Sequence, residues 1–238
     1  MEVVKNLNFP KAIHDLLPKL LGSALQIVVL ATVLGFIFAI IIGFLLALGR
    51  VSKSKILNRI IIIFQEFIRG TPLLVQMVYI YYVVPLFINM IASLMGYTNF
   101  TFNIKSTTAG IVGLAINYGT YISEVIRSAI ISIDDGQMEA ALALGFSPRQ
   151  AMLRIVIPQA FRNSIPVFGN YLVMMVKDTS LMAYITAQEF LMTTKAYTAQ
   201  TFLTIESYTI VAGVYLAICI PLGMLVRLME RKLNKGRR

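Results

Sequence analysis

Polar and apolar positions segregate along this chain into long blocks rather than alternating within short elements. Charged side chains are absent from Leu20 to Gly49, from Gly70 to Ile104 and from Ser207 to Val226. A helix crosses the hydrocarbon core of a bilayer in about 20 residues, so each run is long enough to span it. Two further apolar stretches, 107–131 and 166–189, contain ionisable residues and are less uniform. Together they predict an all-α integral membrane protein of about five transmembrane helices, in a single domain over residues 1–238. The first run is too long for a signal peptide and is expected to remain as a span over about 21–48. Gly22, Gly35 and Gly43 would permit close helix contacts there. The second span is expected to start near Asn58 and to carry Glu66, Arg69, Gly70, Thr71 and Pro72. Residues 1–19 read as a short helix on the outer surface, 92–106 as an outer loop, and 190–206 as an outer loop with some helix.

Composition narrows the class. Fifty-eight per cent of residues are hydrophobic and the mean hydropathy is +0.77, which excludes an ordinary soluble domain. The net charge of +10 is distributed in a way that argues for a membrane and against nucleic acid. Arg50, Lys53, Lys55, Arg59, Arg127, Arg149, Arg154, Arg162, Arg227, Arg231, Lys232, Lys235, Arg237 and Arg238 fall on one side of a five-span topology. Only Lys5, Lys11, Lys19, Lys105 and Lys195 fall on the other. The excess of cations on cytoplasmic loops then predicts a cytoplasmic C-terminus and an outer N-terminus, in agreement with an odd number of spans. Cys219 is the single cysteine, so no intrachain disulfide and no thiolate metal site is expected. His14 has no Ser or Cys partner that would make a nucleophilic constellation.

The most polar internal segment, about 134–165, has its own local logic. Asp134 and Gln137 have capping-box spacing, so a helix is expected from near Asp135 to Leu144. Gly145 sits where a helix end needs a left-handed residue. Ser147 can cap a second helix, with Pro148 at its first position and Gln150 at the third. Phe146 and Ala151 have the spacing of a hydrophobic staple, and Pro158 is expected to end the second helix. Two short helices joined by a sharp bend would expose Leu142, Leu144 and Phe146.

Glu139, Ala140, Ala141, Gly145, Ile155 and Pro158 match in register the Glu-Ala-Ala loop of permease subunits from ATP-binding cassette importers. That pattern reads Glu-Ala-Ala, three residues, Gly, nine residues, Ile, any residue, Leu, Pro; Ile157 replaces the Leu. The chain resembles the polar amino-acid branch of this family over nearly its whole length. The stretches Arg69-Gly70-Thr71-Pro72-Leu73-Leu74-Val75-Gln76, Tyr121-Ile122-Ser123-Glu124-Val125-Ile126-Arg127 and Lys177-Asp178-Thr179-Ser180-Leu181 carry that likeness. The resemblance implies a type I importer permease fold in a bacterial inner membrane, with Glu139, Ala140, Ala141, Gly145, Phe146 and Pro158 coupling it to ATPase subunits. It also implies two such ATPases, a second permease of the same or a similar chain, an extracytoplasmic amino-acid-binding protein and a polar amino-acid substrate. No phosphate-cradling Gly-x-x-x-x-Gly-Lys-Ser/Thr occurs, so ATP and Mg would be bound by the partner ATPase and no cofactor by this chain.

Ionisable groups inside a membrane are costly and need a partner or a water-filled path. Glu66 and Arg69 are three apart and can pair on one helix face; a structural ion pair is favoured over a substrate-carboxylate contact. Glu124 and Arg127 repeat the spacing, and Glu124 either receives an ammonium group or serves that pair. Lys177 and Asp178 point about 100° apart, so each needs its own partner. Asp178, Thr179 and Ser180 are therefore substrate-path candidates, with a helix-packing role as the alternative. Tyr121, Asn117 and Gln76 would complete such a site. Two other classes compete: an ion-gradient-driven carrier using Glu124 and Asp178, and an intramembrane enzyme. The first lacks repeated halves, and the second lacks a dyad or metal cluster in the sequence.

Overall fold

The computed structural model describes residues 7–52, 54–97 and 99–235, and helices account for most of them. Lys5, Lys53, Arg237 and Arg238 of the charge pattern lie outside the described residues, as does the side chain of Lys235. In chain order the α-helices are α1 Phe9–Lys19, α2 Leu25–Arg50, α3 Lys55–Arg69, α4 Leu73–Val78, α5 Val84–Leu94, α6 Ser106–Ile131, α7 Asp135–Ala143, α8 Pro148–Ala151, α9 Ile157–Asp178, α10 Phe190–Thr201 and α11 Thr204–Lys235. Three segments are long and apolar enough to cross a membrane on composition alone: Phe9–Arg50, Leu73–Leu94 and Thr204–Leu233. The other two crossings are α6 and α9, whose 26 and 22 residues give about 39 and 33 Å at 1.5 Å per residue.

Helices α2 and α6 form the spine. Ala31, Gly35, Ala39, Gly43 and Ala47 recur every four residues on α2, and all are buried. Small residues at this spacing let two backbones approach closely where no hydrophobic effect drives association. A Cβ on Gly43 would lie 2.6 Å from Ile122 Cγ2, and one on Gly119 would lie 2.8 Å from Ile42 Cγ2. Gly22 differs from the packing role expected of it: nothing lies within 4 Å of its would-be Cβ. With φ −93° and ψ −114° it instead breaks the helix between α1 and α2.

The second span also differs from expectation. Its proposed start is a separate amphipathic helix, α3, and the chain leaves helical geometry at Pro72, whose ψ is 138°. The span proper is α4 plus α5, joined by a wide π-turn at Tyr79–Val83. Helix α3 crosses the Arg50 end of the spine: Ile61 meets Gly49, and Gln65 bridges Arg50 Nη1 (3.0 Å) and Ser123 Oγ (2.9 Å). Gln65 is wholly buried, so its amide must find such partners.

At the opposite end, α1 and α10 form a cap. The Glu206 carboxylate accepts the Asn8 N–H at 2.7 Å, and the Tyr197 hydroxyl donates to Asp15 at 3.3 Å. Buried Glu189 caps α10 by accepting the N–H groups of Leu191 and Met192 at 2.8 and 2.7 Å. The helix expected within 190–206 is thus α10, which ends at left-handed Phe202. Cys219 is half-buried among the apolar side chains that link α1, α10 and α11.

Candidate functional site

Two regions carry the polar chemistry, the 134–165 loop and a cleft between α3, α6 and α9. In the loop, α7 ends with Gly145 at φ +85°. The Phe146 N–H donates to Ala141 O at 3.1 Å and the Gly145 N–H to Leu142 O at 2.9 Å. This pair of bonds satisfies the orphan carbonyls of α7 and turns the chain sharply. Ser147 and Gln150 form the expected capping box, at 3.3 and 2.9 Å, with Pro148 in the first turn. At the start of α7, the Asp134 side chain accepts the Gly136 N–H at 2.7 Å, and the Gln137 N–H goes to the Asp134 backbone carbonyl at 3.0 Å rather than to its carboxylate. Gln137 instead receives a hydrogen bond from Gln159 at 3.2 Å, tying α7 to α9.

Leu142 and Leu144 are exposed as expected, whereas Phe146 is half-buried. Glu139 and Ala140 face outward and Ala141 is buried. Pro158 does not end the second helix. The chain passes from α8 through a π-turn at Met152–Val156 into α9, with Pro158 in its first turn. The Ile157 N–H reaches back five residues to Met152 O. That widening removes the carbonyl a proline ring would otherwise strike, and the missing N–H falls where none is required. Pro85 follows the π-turn at Tyr79–Val83 in the same way. Span four thereby continues from the loop in unbroken helical geometry.

The cleft has a volume of about 550 Å³, and its lining includes Arg69, Tyr121, Glu124, Ser128, Asn163 and Tyr171. Glu124 pairs with Arg127 through Nε at 2.9 Å and also through Nη2. Arg69 donates to Glu66 at 2.5 Å, and its Nε is buried without a protein partner. Opposite charges therefore sit in one cleft, with two tyrosines and an amide beside them. Tyr121 and Tyr171 pack with ring centroids 6.3 Å apart. Tyr171 meets Tyr118 edge-on at 6.0 Å, and the Tyr118 hydroxyl donates to Asp178 at 2.7 Å.

Of the sequence candidates, Glu124 and Tyr121 line the cleft together. Asp178 lies behind the tyrosines, with Tyr118 as the partner it required. Lys177, its neighbour, is exposed. Thr179 is buried, and its hydroxyl donates to Val176 O at 2.7 Å, satisfying backbone where α9 tightens into a 3₁₀ turn over Thr179–Ile185. Ser180, half-buried, lies in the same turn. Gln76 brackets the α3–α4 break, donating to Ile68 O (2.6 Å) and Thr71 O (3.0 Å) while accepting from Asn117 at 3.1 Å. Asn117 and Gln76 are thus brought together outside the cleft lining. Asn163 and Tyr171 were not singled out in the sequence; their signal was a polar face on an otherwise apolar span. Arg69, read as half of a structural pair, also faces the cleft.

A helical bundle of five crossings, with a short bent loop between spans three and four and charges in an open cleft among the helices, defines a solute permease subunit. Residues 39–235 match the family described as binding-protein-dependent transport system inner membrane component. The chain is 35% identical over 213 residues to the probable amino-acid permease protein YxeN of Bacillus subtilis (strain 168), covering 90% of this chain and 91% of that one. It is 33% identical to the glutamine transport system permease protein GlnP of Escherichia coli (strain K12), covering 94% and 96%. Among solved structures it is similar to a chain of an amino acid ABC transporter crystallised with histidines, at 30% identity and a TM-score of 0.81, covering 95% of this chain and 99% of that one. The chain belongs to the family of binding-protein-dependent transport system inner membrane components: it is the permease subunit of an ATP-binding cassette importer. In that family ATP hydrolysis takes place on separate subunits, so this chain is a transport component and not an enzyme.

Proposed function

We propose that this permease imports polar amino acids, with the solute passing through the cleft lined by Arg69 and Glu124. The observation that supports it is the pairing of both charge signs with hydroxyl and amide groups in one cavity of about 550 Å³. A zwitterion presents a carboxylate and an ammonium together, and Arg69, whose side chain is 26% exposed and lines the cleft, suits the former. Glu124 suits the latter, releasing part of its bond to Arg127. Asp178 holds the tyrosine wall through Tyr118, and Thr179, Ser180, Asn117 and Gln76 support the helix breaks around it. The chain works as one domain, paired with a second permease of the same or a similar sequence. Two ATPase subunits that bind ATP and Mg dock on Glu139, Ala140, Ala141, Gly145, Phe146 and Pro158, and a binding protein delivers solute from outside. The C-terminus lies in the cytoplasm and the N-terminus outside, as the cation distribution favours.

Reconstitution with its ATPase subunits and binding protein in proteoliposomes tests this. Uptake of a labelled polar amino acid should require ATP and persist with a protonophore present. Glu124→Gln and Arg69→Gln should each lower uptake about tenfold or more at equal abundance, as expected for loss of a charged hydrogen bond of about 1.5–3 kcal/mol. Unchanged kinetics in both variants would remove the cleft from the path, and uptake abolished by the protonophore at full ATP would favour an ion-driven carrier.

A further inference from the structure

Helix α9 has two opposite faces. One carries Asn163 and Tyr171 into the polar cleft; the other floors an apolar trench walled by α2 and α11. Three cavities compose the trench. An inner one of about 580 Å³ lies between α2 and α9 at Ile41, Phe44 and Pro158. A middle one of about 270 Å³ shares Ile40 and Phe161 with it and extends to Leu225 and Met229. An outer one of about 210 Å³ shares Leu172 and Leu222 with the middle one and reaches Leu25. Thr32 contributes the single hydroxyl of the whole lining. In a bilayer such a furrow cannot stay empty, because its walls would forfeit contact on one side. It needs an apolar chain.

The register between α9 and α11 decides what heads that chain. The two helices run antiparallel: Ile218 faces Val176, Leu222 faces Leu172, and Val226 seats on Gly169, whose would-be Cβ lies 2.6 Å from Val226 Cγ1. Continued inward at the same pitch, this register sets Lys232 on α11 opposite Arg162 on α9. Arg162 precedes Ile165 and Pro166 by three and four residues, and Lys232 follows Met229 by three, so each lies one turn beyond the trench lining on its face. Both side chains are exposed, and neither forms an ion pair among the described residues. A furrow apolar but for Thr32 thus ends, at the inner membrane surface, in two cations on facing helices that form no ion pair among the described residues.

We propose that the α2–α9–α11 trench is a binding site for one anionic phospholipid of the inner leaflet. Its acyl chain fills the middle cavity along Phe36, Ile40 and Leu225, and its phosphate headgroup lies between Arg162 and Lys232. Because α9 carries the cleft on its other face and continues directly from the ATPase-docking loop, the lipid props the helix that moves during transport.

The assembled transporter, permease with its ATPase subunits, is exchanged into detergent containing equimolar phosphatidylglycerol and phosphatidylcholine, then examined by native mass spectrometry. One phosphatidylglycerol should be retained per permease chain, at least fivefold over phosphatidylcholine. Arg162→Gln/Lys232→Gln should reduce that selectivity to about onefold, while Arg162→Lys/Lys232→Arg keeps it; monodisperse assembly of each variant guards against misfolding. A diazirine on the acyl chain of phosphatidylglycerol should label Phe161 or Leu225. Equal retention of the two lipids would make the trench an ordinary lipid-facing surface and overturn the proposal. Undiminished selectivity in the Gln variant would do the same, as would a disulfide from Leu225→Cys to a second protein chain.

Discussion

The bend at Gly145 permits a test in which backbone conformation is the only variable. Its φ of +85° lies in the left-handed region, and nothing stands within 4 Å of the position a Cβ would take. A substitution there meets no neighbour, so its cost is conformational. An L-residue in this region costs about 1–2 kcal/mol, which shifts the population of the bend by a factor of about 5–30. Asn tolerates the region best of the non-glycine residues and Val worst. Reconstituted complexes should therefore rank Gly, Asn, Ala, Val in substrate transported per ATP hydrolysed. Gly145→Asn should stay within about twofold of the parent, and Gly145→Val should lose about fivefold or more. Membrane insertion and assembly should be unchanged, because the exposed turn contributes little to the core. Ranking by side-chain volume, with Ala above Asn, would refute the conformational argument. Intact coupling in all three would remove the bend from the mechanism.

Three further outcomes follow from other parts of the structure. Gly43→Val should force α2 away from Ile122 and the Gly119 carbonyl, 2.6 and 3.0 Å from the new Cβ; overpacking of about 1–3 kcal/mol should appear in a denaturant titration in mixed micelles. Gly223→Ala, with open space at its Cβ, is the control, and equal midpoints would contradict the close approach. A double-mutant cycle of Gln65→Leu with Ser123→Ala should give a coupling energy of about 0.6–1.7 kcal/mol, and zero coupling would mean the buried bridge contributes nothing. Asp178→Asn should lower uptake more than Glu66→Gln, since Asp178 secures the tyrosine wall through Tyr118 while the Glu66 side chain is 67% exposed; the reverse order at equal abundance would place the sensitive charge at the α3 pair.

Much of the site was legible where its determinants are local. Gly145 and the Ser147–Gln150 box were readable because a cap depends on a few neighbouring residues of fixed spacing. Pro158 was misread for the opposite reason: whether a proline ends a helix depends on the turn before it, and a π-turn has no strong sequence signature. Glu124 and Tyr121 were found as polar residues in an apolar span. Their cleft partners Asn163 and Tyr171 could not be assigned, because a cleft is made by helices distant in sequence.

By itself the sequence determined the membrane class, the number of crossings, the uneven placement of charge between them and the glycine bend and capping box over Gly145–Gln150. Each depends on run length, charge placement or short spacing, properties that survive without knowledge of packing. The tertiary structure alone decided that α3 is a separate helix across the Arg50 end of the spine, and that Arg69 and Glu124 line one cleft. It also decided that Asp178 stands behind a tyrosine wall and that α9 divides a polar cleft from an apolar trench. In a membrane nearly every residue of a span is apolar, so hydropathy no longer distinguishes inward from outward faces. Small residues at Gly43 and Gly119, wide turns before prolines and a few buried hydrogen bonds then set each helix's rotation, and their partners lie tens of residues away.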